Sequence, residues 1–350
     1  MILPSIKVND LTKAIERILL AAGSDCDNAK RVAHALVLSE LSGVATHGVH
    51  HLPRYVQSIH DGEIVPTAKP EVIHETDNTA LVTGNWTFGF VSADFGMKIG
   101  IDKARDHQVA IVSVVQVNHI GRVGEYAEMA AEAGMISIIF SSGYGKIVPV
   151  AVPYGGSKPL LSTNPISIGV PAGKEPPMVL DFATTTAAQS KVTIALRQGK
   201  KLPDGLIIDK LGSPSTKPAD LFDGGSLLPF GGHKGSALML ACEMLGRLFS
   251  GADAYAEPVR GGDGMRYQGV TFIIFQADLN QNLDEFTGSM NDLQKEVRGI
   301  PAAPGFDEVV VPGDLEARAR HTGRSEGIQL PDEVWSSLVD VANSLGVFFT

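Results

Sequence analysis

Cysteine is almost missing from this chain: Cys26 and Cys242 are the only two in 350 residues. Two thiols so far apart form neither a disulfide framework nor a metal-ligand spacing, and they read as reduced, buried thiols of a cytoplasmic protein. No apolar run approaches the ~18 residues needed to cross a bilayer. The opening Met1-Ile2-Leu3-Pro4-Ser5-Ile6-Lys7 has no charged stretch followed by an apolar one, so no signal peptide is predicted. There is no run of Lys and Arg, and the net charge is −10; nucleic acid and anionic membranes are therefore not expected partners. No internal repeat and no low-complexity tract is visible.

Two nucleotide-binding signatures are also missing. The dinucleotide fingerprint G-x-G-x-x-G is nowhere complete, and Gly143-Tyr144-Gly145-Lys146-Ile147-Val148 fails at its third glycine. Phe230-Gly231-Gly232-His233-Lys234-Gly235 invites a P-loop reading, but the glycine spacing is wrong and no Ser or Thr follows the lysine. An ordinary Rossmann dehydrogenase is disfavoured. Glycine itself is plentiful, at 38 residues spread along the chain, which points to many tight loops able to bring backbone close to a ligand.

What is present divides into helical ends and an α/β middle. A helix is expected after Asn9 or Asp10, with Leu11, Ile15, Ile18 and Leu19 on one face, and another from Asp27 or Asn28 to Gly43. From about residue 71 the pattern alternates. Strands are expected at 80–84, 110–117, 136–140, 166–170, 178–182 and 270–276, and helices at 91–107, 125–133, 236–249, 283–297 and 333–345. The unit from 110 to 140 resembles a parallel strand–helix–strand crossover, where ligands gather at the carboxyl ends of strands. Segments 199–230 and 250–269 read as long loops. Soft breakpoints near 70 and 305 divide the chain into a mainly helical part, 1–70 with 305–350, and an α/β part, 71–304.

The candidate chemistry is carried by histidine, the natural proton carrier near neutral pH. His47, in Thr46-His47-Gly48, and His119, in Asn118-His119-Ile120-Gly121, each follow a regular element and lie next to or near glycine; loop residues set by a rigid scaffold are the usual carriers of catalysis. Which of the two is the proton donor is left open. Asp181-Phe182-Ala183-Thr184-Thr185 ends a strand and opens a helix, so its hydroxyls and free N–H groups suit either an anion or plain N-capping. Lys234 beside its glycines suits a phosphate or carboxylate contact, or an ordinary turn. His47, His50 and His51 cluster, but no carboxylate or cysteine completes a metal set, and no metal is expected.

Taken in order, Thr46-His47-Gly48-Val49-His50-His51-Leu52-Pro53-Arg54-Tyr55, Asn118-His119-Ile120-Gly121-Arg122-Val123-Gly124-Glu125-Tyr126, Ser162-Thr163-Asn164-Pro165-Ile166, Val179-Leu180-Asp181-Phe182-Ala183-Thr184, Pro229 to Gly235 and Val311-Pro312-Gly313-Asp314-Leu315-Glu316 are similar to the malate/L-lactate dehydrogenase family of the second type. Within that family the chain most resembles the hydroxycarboxylate dehydrogenase B branch. The resemblance implies a fold of its own that binds NAD or NADP without the glycine fingerprint, in a homodimer acting on a small-molecule substrate. It implies that His119 is the proton donor or acceptor and that His47 lines the nicotinamide and substrate site. Tyr55 matches a substrate-side tyrosine. Gly121, Arg122, Val123, the turn from Asp181 through Phe182, Ala183 and Thr184 to Thr185, Lys234, and the loop Pro312, Gly313 and Asp314 match cofactor contacts. Two positions depart from the pattern. Thr46 replaces the usual serine and keeps its hydroxyl. His51 stands where many members have an arginine that clamps a carboxylate; Arg54, one helical turn further along, reads either as the substitute clamp, with His51 shaping the pocket beside it, or as a solvated surface charge.

The expected reaction interconverts a 2-oxo acid and a 2-hydroxy acid, with a histidine carrying the proton and a cation holding the carboxylate. A reductase of a cyclic imine carboxylate needs the same parts and is the alternative within the enzyme class. Outside it stand a non-catalytic metabolite-binding homologue, against which both loop histidines argue, and a metal hydrolase, which a chelator test would remove.

Overall fold

The computed structural model describes residues 5–258, 260 and 262–348. At its centre is a mixed seven-stranded sheet in the order Glu71–Glu75, Thr79–Thr83, Val109–Val115, Gly269–Gln276, Met135–Ser142, Ile166–Val170, Met178–Phe182. Every neighbouring pair is antiparallel except Thr79–Thr83 with Val109–Val115. The crossover expected over 110–140 is present in direction but not in adjacency. Strand Gly269–Gln276 lies between its two strands and pairs antiparallel with both. The two therefore run the same way, and their carboxyl ends, followed by the His119 loop and by Gly143, open on one edge of the sheet.

Alternation along the central strands decides what covers each face. Val270, Phe272, Ile274 and Ile139 point into a core shared with helices Gly89–His107 and Gly124–Glu132. Ile273, Ile138 and Phe140 point the other way, against Leu238, Cys242 and Leu245. Those three belong to helix His233–Cys242 and its π-helical continuation Glu243–Leu248. The result is helices on both faces of one sheet, consistent with the expected α/β class. Helix Gly89–His107 packs through small residues as much as through the expected apolar ones. A Cβ at Gly96 would lie 2.7 Å from Val114, and one at Gly100 would lie 2.2 Å from Ile274.

The N- and C-terminal segments share a second core. Helices Val8–Ala21, Cys26–Leu41 and Leu52–His60 bury Leu11, Ile15, Leu36 and Leu52 together with Leu338 and Ala342 of helix Asp332–Ser344. Ser5–Ile6 pairs antiparallel with Ile328–Gln329. The first helix begins at Val8 without a side-chain cap, and the second is capped by Asp25, which accepts from the N–H groups of Asp27 and Asn28; Cys26, expected to be buried, is exposed because it opens this helix, whereas Cys242 is buried. Segment 199–230 is not wholly loop: Ile207–Ile208, Pro214–Ser215 and Ser226–Leu227 form a small three-stranded sheet over a third core. No helix among the described residues is long and apolar enough to cross a membrane.

Charged side chains are buried where the helical part meets the sheet. Arg31 lies 2.9 Å from Asp94 and 2.8 Å from Glu125. Glu128 is held by Arg122 at 2.5 Å and by Arg320 at 2.9 Å. Removing one partner of such a pair leaves an uncompensated buried charge, at a cost of about 3–5 kcal/mol. Glu128→Ala is therefore expected to lower unfolding stability by about that amount, read from the denaturant midpoint; a change under about 1 kcal/mol, the scale of exposed pairs, would show that the seam is solvated.

Candidate active site

The loop that carries His119 is fixed from three sides. The Asn118 amide donates to the carbonyls of Trp86 and Thr87 at 3.0 and 2.9 Å. Gln268 Nε2 donates to the Asn118 carbonyl at 3.1 Å, and the buried Tyr126 hydroxyl donates to the Ile120 carbonyl at 2.6 Å. The approach is close enough that a Cβ at Gly89 would lie 2.2 Å from the Asn118 carbonyl oxygen. Gly121, at φ +71°, has the Phe90 ring where its Cβ would be.

Opposite this loop, the chain leaves helix Cys26–Leu41 and makes two short 3₁₀ turns, Ala45–His47 and Val49–His51, before helix Leu52–His60. That helix begins with Pro53 near its N-terminus, where the missing N–H is tolerated. It exposes Arg54 and buries Tyr55, which packs edge-on against Phe90. Tyr55 Oη is 2.7 Å from His119 Nδ1. The His119 ring stacks on His47 at 5.8 Å between centroids and lies 5.2 Å from His51. The His51 Nε2–H donates to the Thr46 carbonyl at 3.0 Å. A carbonyl only accepts, so this bond sets the tautomer and leaves the lone pair on Nδ1.

Burial controls the charge state of this group. His119 is pushed well below the ordinary histidine value by burial, and then by His51, His47 and Arg54. His47 is lowered to about 4 by burial, His50 and Arg122, and His51 to about 3 by burial and the neighbouring His50. Burial also pushes the Tyr55 hydroxyl far above its usual range, so it stays protonated. A hydroxyl donates to a neutral Nδ1 and accepts from a protonated one. Tyr55 therefore holds the ring in either state without favouring the cation as a carboxylate would.

His47, His51 and His119 line one cleft of about 520 Å³. Thr46, His47, His51 and Arg54 enter from the helical part, His119, Gly121 and Val123 from the loop, and Asp181, Phe182 and Ala183 from the end of strand Met178–Phe182. Asp181 accepts from the Gly124 N–H at 2.7 Å, and burial raises it to about 6 against the pull of that bond and of Arg122. Other residues singled out from the sequence lie elsewhere. Tyr55 is behind His119 rather than on the cleft wall. Arg122 is turned inward to Glu128. The helix expected at Thr184 begins at Gln189 instead. The Thr184 hydroxyl donates to the carbonyls of Thr163 and Asn164, and that of Thr185 to Ala187. Lys234 is exposed in the first turn of its helix, and Pro312, Gly313 and Asp314 dock on the sheet edge, where Asp314 pairs with Arg298 at 2.7 Å.

The cleft also has a hydroxyl- and amide-rich wall, Ser141, Ser142, Ser162, Thr163, Gln189, Ser190 and Gln268; of these only Ser162 and Thr163 fall in a motif quoted from the sequence, and neither carried an expected role. The available signal was positional, because Ser141 and Ser142 end a strand on the edge where ligands gather.

Residues 6–339 match the family model described as malate/L-lactate dehydrogenase. The chain is 34% identical to a malate/(S)-sulfolactate dehydrogenase of Methanothermus fervidus over 96% of both chains. It is 32% identical to hydroxycarboxylate dehydrogenase B of Escherichia coli over 95% of this chain and 92% of that one. The fold matches the crystal structure of a malate dehydrogenase from Entamoeba histolytica with a TM-score of 0.91, at 28% identity, covering 99% of each.

The buried imidazoles make a measurable claim. In an NMR titration, His47 is expected to stay neutral until about pH 4 and His51 until about pH 3. Because their folded values lie below the ordinary 6.5, the stability tied to keeping them neutral is complete above pH 6.5 and is lost as pH falls below it. Midpoints near 6.5 would mean that water reaches these rings freely.

Proposed function

The chain belongs to the malate/L-lactate dehydrogenase family, and we propose that it interconverts a small 2-oxo acid and its 2-hydroxy acid with NAD or NADP. The observation that carries this reading is the pairing, in one cleft, of a Tyr55-held His119 with Arg54, a cation that has no ion-pair partner among the described residues. The wall fits a dinucleotide bound without a glycine fingerprint. Its hydroxyls suit ribose, and Ala188, Gln189 and Ser190 at the start of helix Gln189–Arg197 line the same cleft, where free N–H groups favour a phosphate. When bound, the nicotinamide supplies or receives the hydride.

The protein's own part is charge and placement. Arg54 holds the substrate carboxylate, its planar fork matching the two oxygens. In oxidation, neutral His119 takes the hydroxyl proton while its Nδ1–H turns to Tyr55. In reduction, the arriving anion raises the proton affinity of His119, and the imidazolium returns the proton to the carbonyl oxygen. A base whose free-enzyme value lies below 6.5 remains competent in acid. The low-pH limb of kcat/KM for oxidation therefore lies below the ordinary histidine range.

The cyclic-imine reading has less support, since the similar proteins named above carry hydroxy-acid dehydrogenase names. The terminal segments form the helical part of this scheme and residues 71–304 the cofactor-binding part. A homodimer accounts for the exposed apolar stripe of Leu240, Met244, Leu248 and Phe249, which a second copy would cover.

A panel of 2-oxo acids and cyclic imines, followed by NADH and NADPH absorbance, tests the reaction; turnover of imines alone would transfer the assignment to the alternative. His119→Ala is expected to lower kcat by about 10²–10⁴-fold, the usual contribution of a positioned proton carrier, while cofactor affinity holds. Normal turnover would shift the role to His47. Arg54→Met is expected to raise KM for 2-oxo acids by about 10–100-fold, for a lost charged hydrogen bond of about 1.5–3 kcal/mol; an unchanged KM would assign the carboxylate to another donor.

A further inference from the structure

We propose that Glu40 is a positioning residue, a carboxylate that locks the turn presenting His47 and His51 to the cleft. The need for it arises from the backbone. Turn Ala45–His47 closes with the Gly48 N–H donating to the Ala45 carbonyl, and the next turn with the His51 N–H donating to the Gly48 carbonyl. Between them Gly48 is extended, at φ −92° and ψ −154°. This interrupts the helical ladder and leaves the Val49 N–H without a backbone acceptor. Val49 is itself fully buried, so an unmet donor there would be costly.

Glu40, from the last turn of helix Cys26–Leu41, supplies the acceptor: the Val49 N–H donates to Glu40 Oε1 at 2.8 Å. The carboxylate packs against Gly48 where a side chain would be, since a Cβ there would sit 1.9 Å from Oε1 and 2.5 Å from Cδ. The glycine after His47 is thus the space that admits the carboxylate. Unlike Glu125 and Glu128, which face arginines, Glu40 has no ion-pair partner among the described residues. Burial pushes it up to about 7, against the pull of the Val49 N–H. His47 and His51 lie on opposite sides of this joint, and the His51 ring reaches back across it to the Thr46 carbonyl.

The kinetic arm of the test rests on the dehydrogenase reading; the spectroscopic arm does not. In the full-length protein, Glu40→Gln keeps an acceptor oxygen, Glu40→Ala removes it, and Gly48→Ala displaces it. The imidazole nitrogen shifts of His51 report its Nε2–H tautomer directly. Glu40→Ala is expected to lose that signature and to lower kcat by about 10²-fold, the scale of a misplaced catalytic constellation, with the cofactor Kd retained. Glu40→Gln is expected to restore both. Wild-type shifts and turnover in Glu40→Ala would overturn the proposal, as would a folded Glu40→Gln impaired as deeply as Glu40→Ala. If Glu40→Ala does not fold, an impaired Gly48→Ala beside a normal Glu40→Gln supports the assignment, and normal behaviour in both overturns it. A wild-type protein inactive on every 2-oxo acid would sink the dehydrogenase reading, while the His51 tautomer would still decide the role of Glu40.

Discussion

The cleft depends on a buried ionic seam. His47, His51 and Arg54 sit on turns and a helix that pack into one core, and His119, Gly121 and Val123 on a loop anchored in another. Apolar contact between the two cores is non-directional and does not fix their register. Arg31 between Asp94 and Glu125, and Glu128 between Arg122 and Arg320, do fix it. The Arg31 contacts are short but poorly aligned as hydrogen bonds, so charge rather than donor geometry holds that end. Desolvating such ions offsets much of their attraction. Their use here is to specify one docking, and the 2.7 Å bond between Tyr55 and His119 spans that seam.

The same burial shapes the proton balance. Three neighbouring imidazoles are kept neutral in the fold, which opposes stability in acid. Glu40 and Asp181, raised to about 7 and about 6, act with the opposite sign. They hold protons that the unfolded chain would release, so their burial weighs against the fold as pH rises through the interval between the ordinary carboxylate range and neutrality. The two sets overlap in mildly acid solution and partly cancel. Within the cleft, the raised carboxyls thus oppose the acid sensitivity that the neutral imidazoles bring.

Much of this was legible in the sequence where periodicity was strong. Leu11, Ile15, Ile18 and Leu19 marked the buried face of the first helix, and the β-branched run after Ala110 marked a central strand. The resemblance singled out His47 and His119, and both line the same cleft. Illegible parts depended on contacts distant in sequence. Nothing local says that residues 269–276 enter between 109–115 and 135–142. Tyr55 is a helix residue whose partner lies 64 positions away. Arg122 carries the side chain of an anion-binding residue, yet the acid one turn into its own helix draws it inward. Thr184 and Thr185 had the composition of a helix cap, but their hydroxyls are claimed by loop carbonyls. Helix Gly89–His107 packs where side chains are absent, at Gly96 and Gly100, and hydrophobic periodicity does not register an absence.

The strand at the middle of the sheet, Gly269–Gln276, is also the last of its seven to leave the ribosome. Until it emerges, Val109–Val115 and Met135–Ser142 each present an open edge that this strand alone completes. The helical core is subject to the same delay, because Leu338 and Ala342 close a cluster begun by Leu11 and Ile15. Vectorial synthesis thus yields two unfinished parts rather than one domain after another: the sheet closes once residues 269–276 are made, and the helical core once residues 338–342 are. Long-range pairing of this kind folds slowly and exposes strand edges meanwhile. The topology that packs Leu11 and Ile15 against Leu338 and Ala342 thus leaves strand edges and an apolar helical face open until distant parts of the chain have been made.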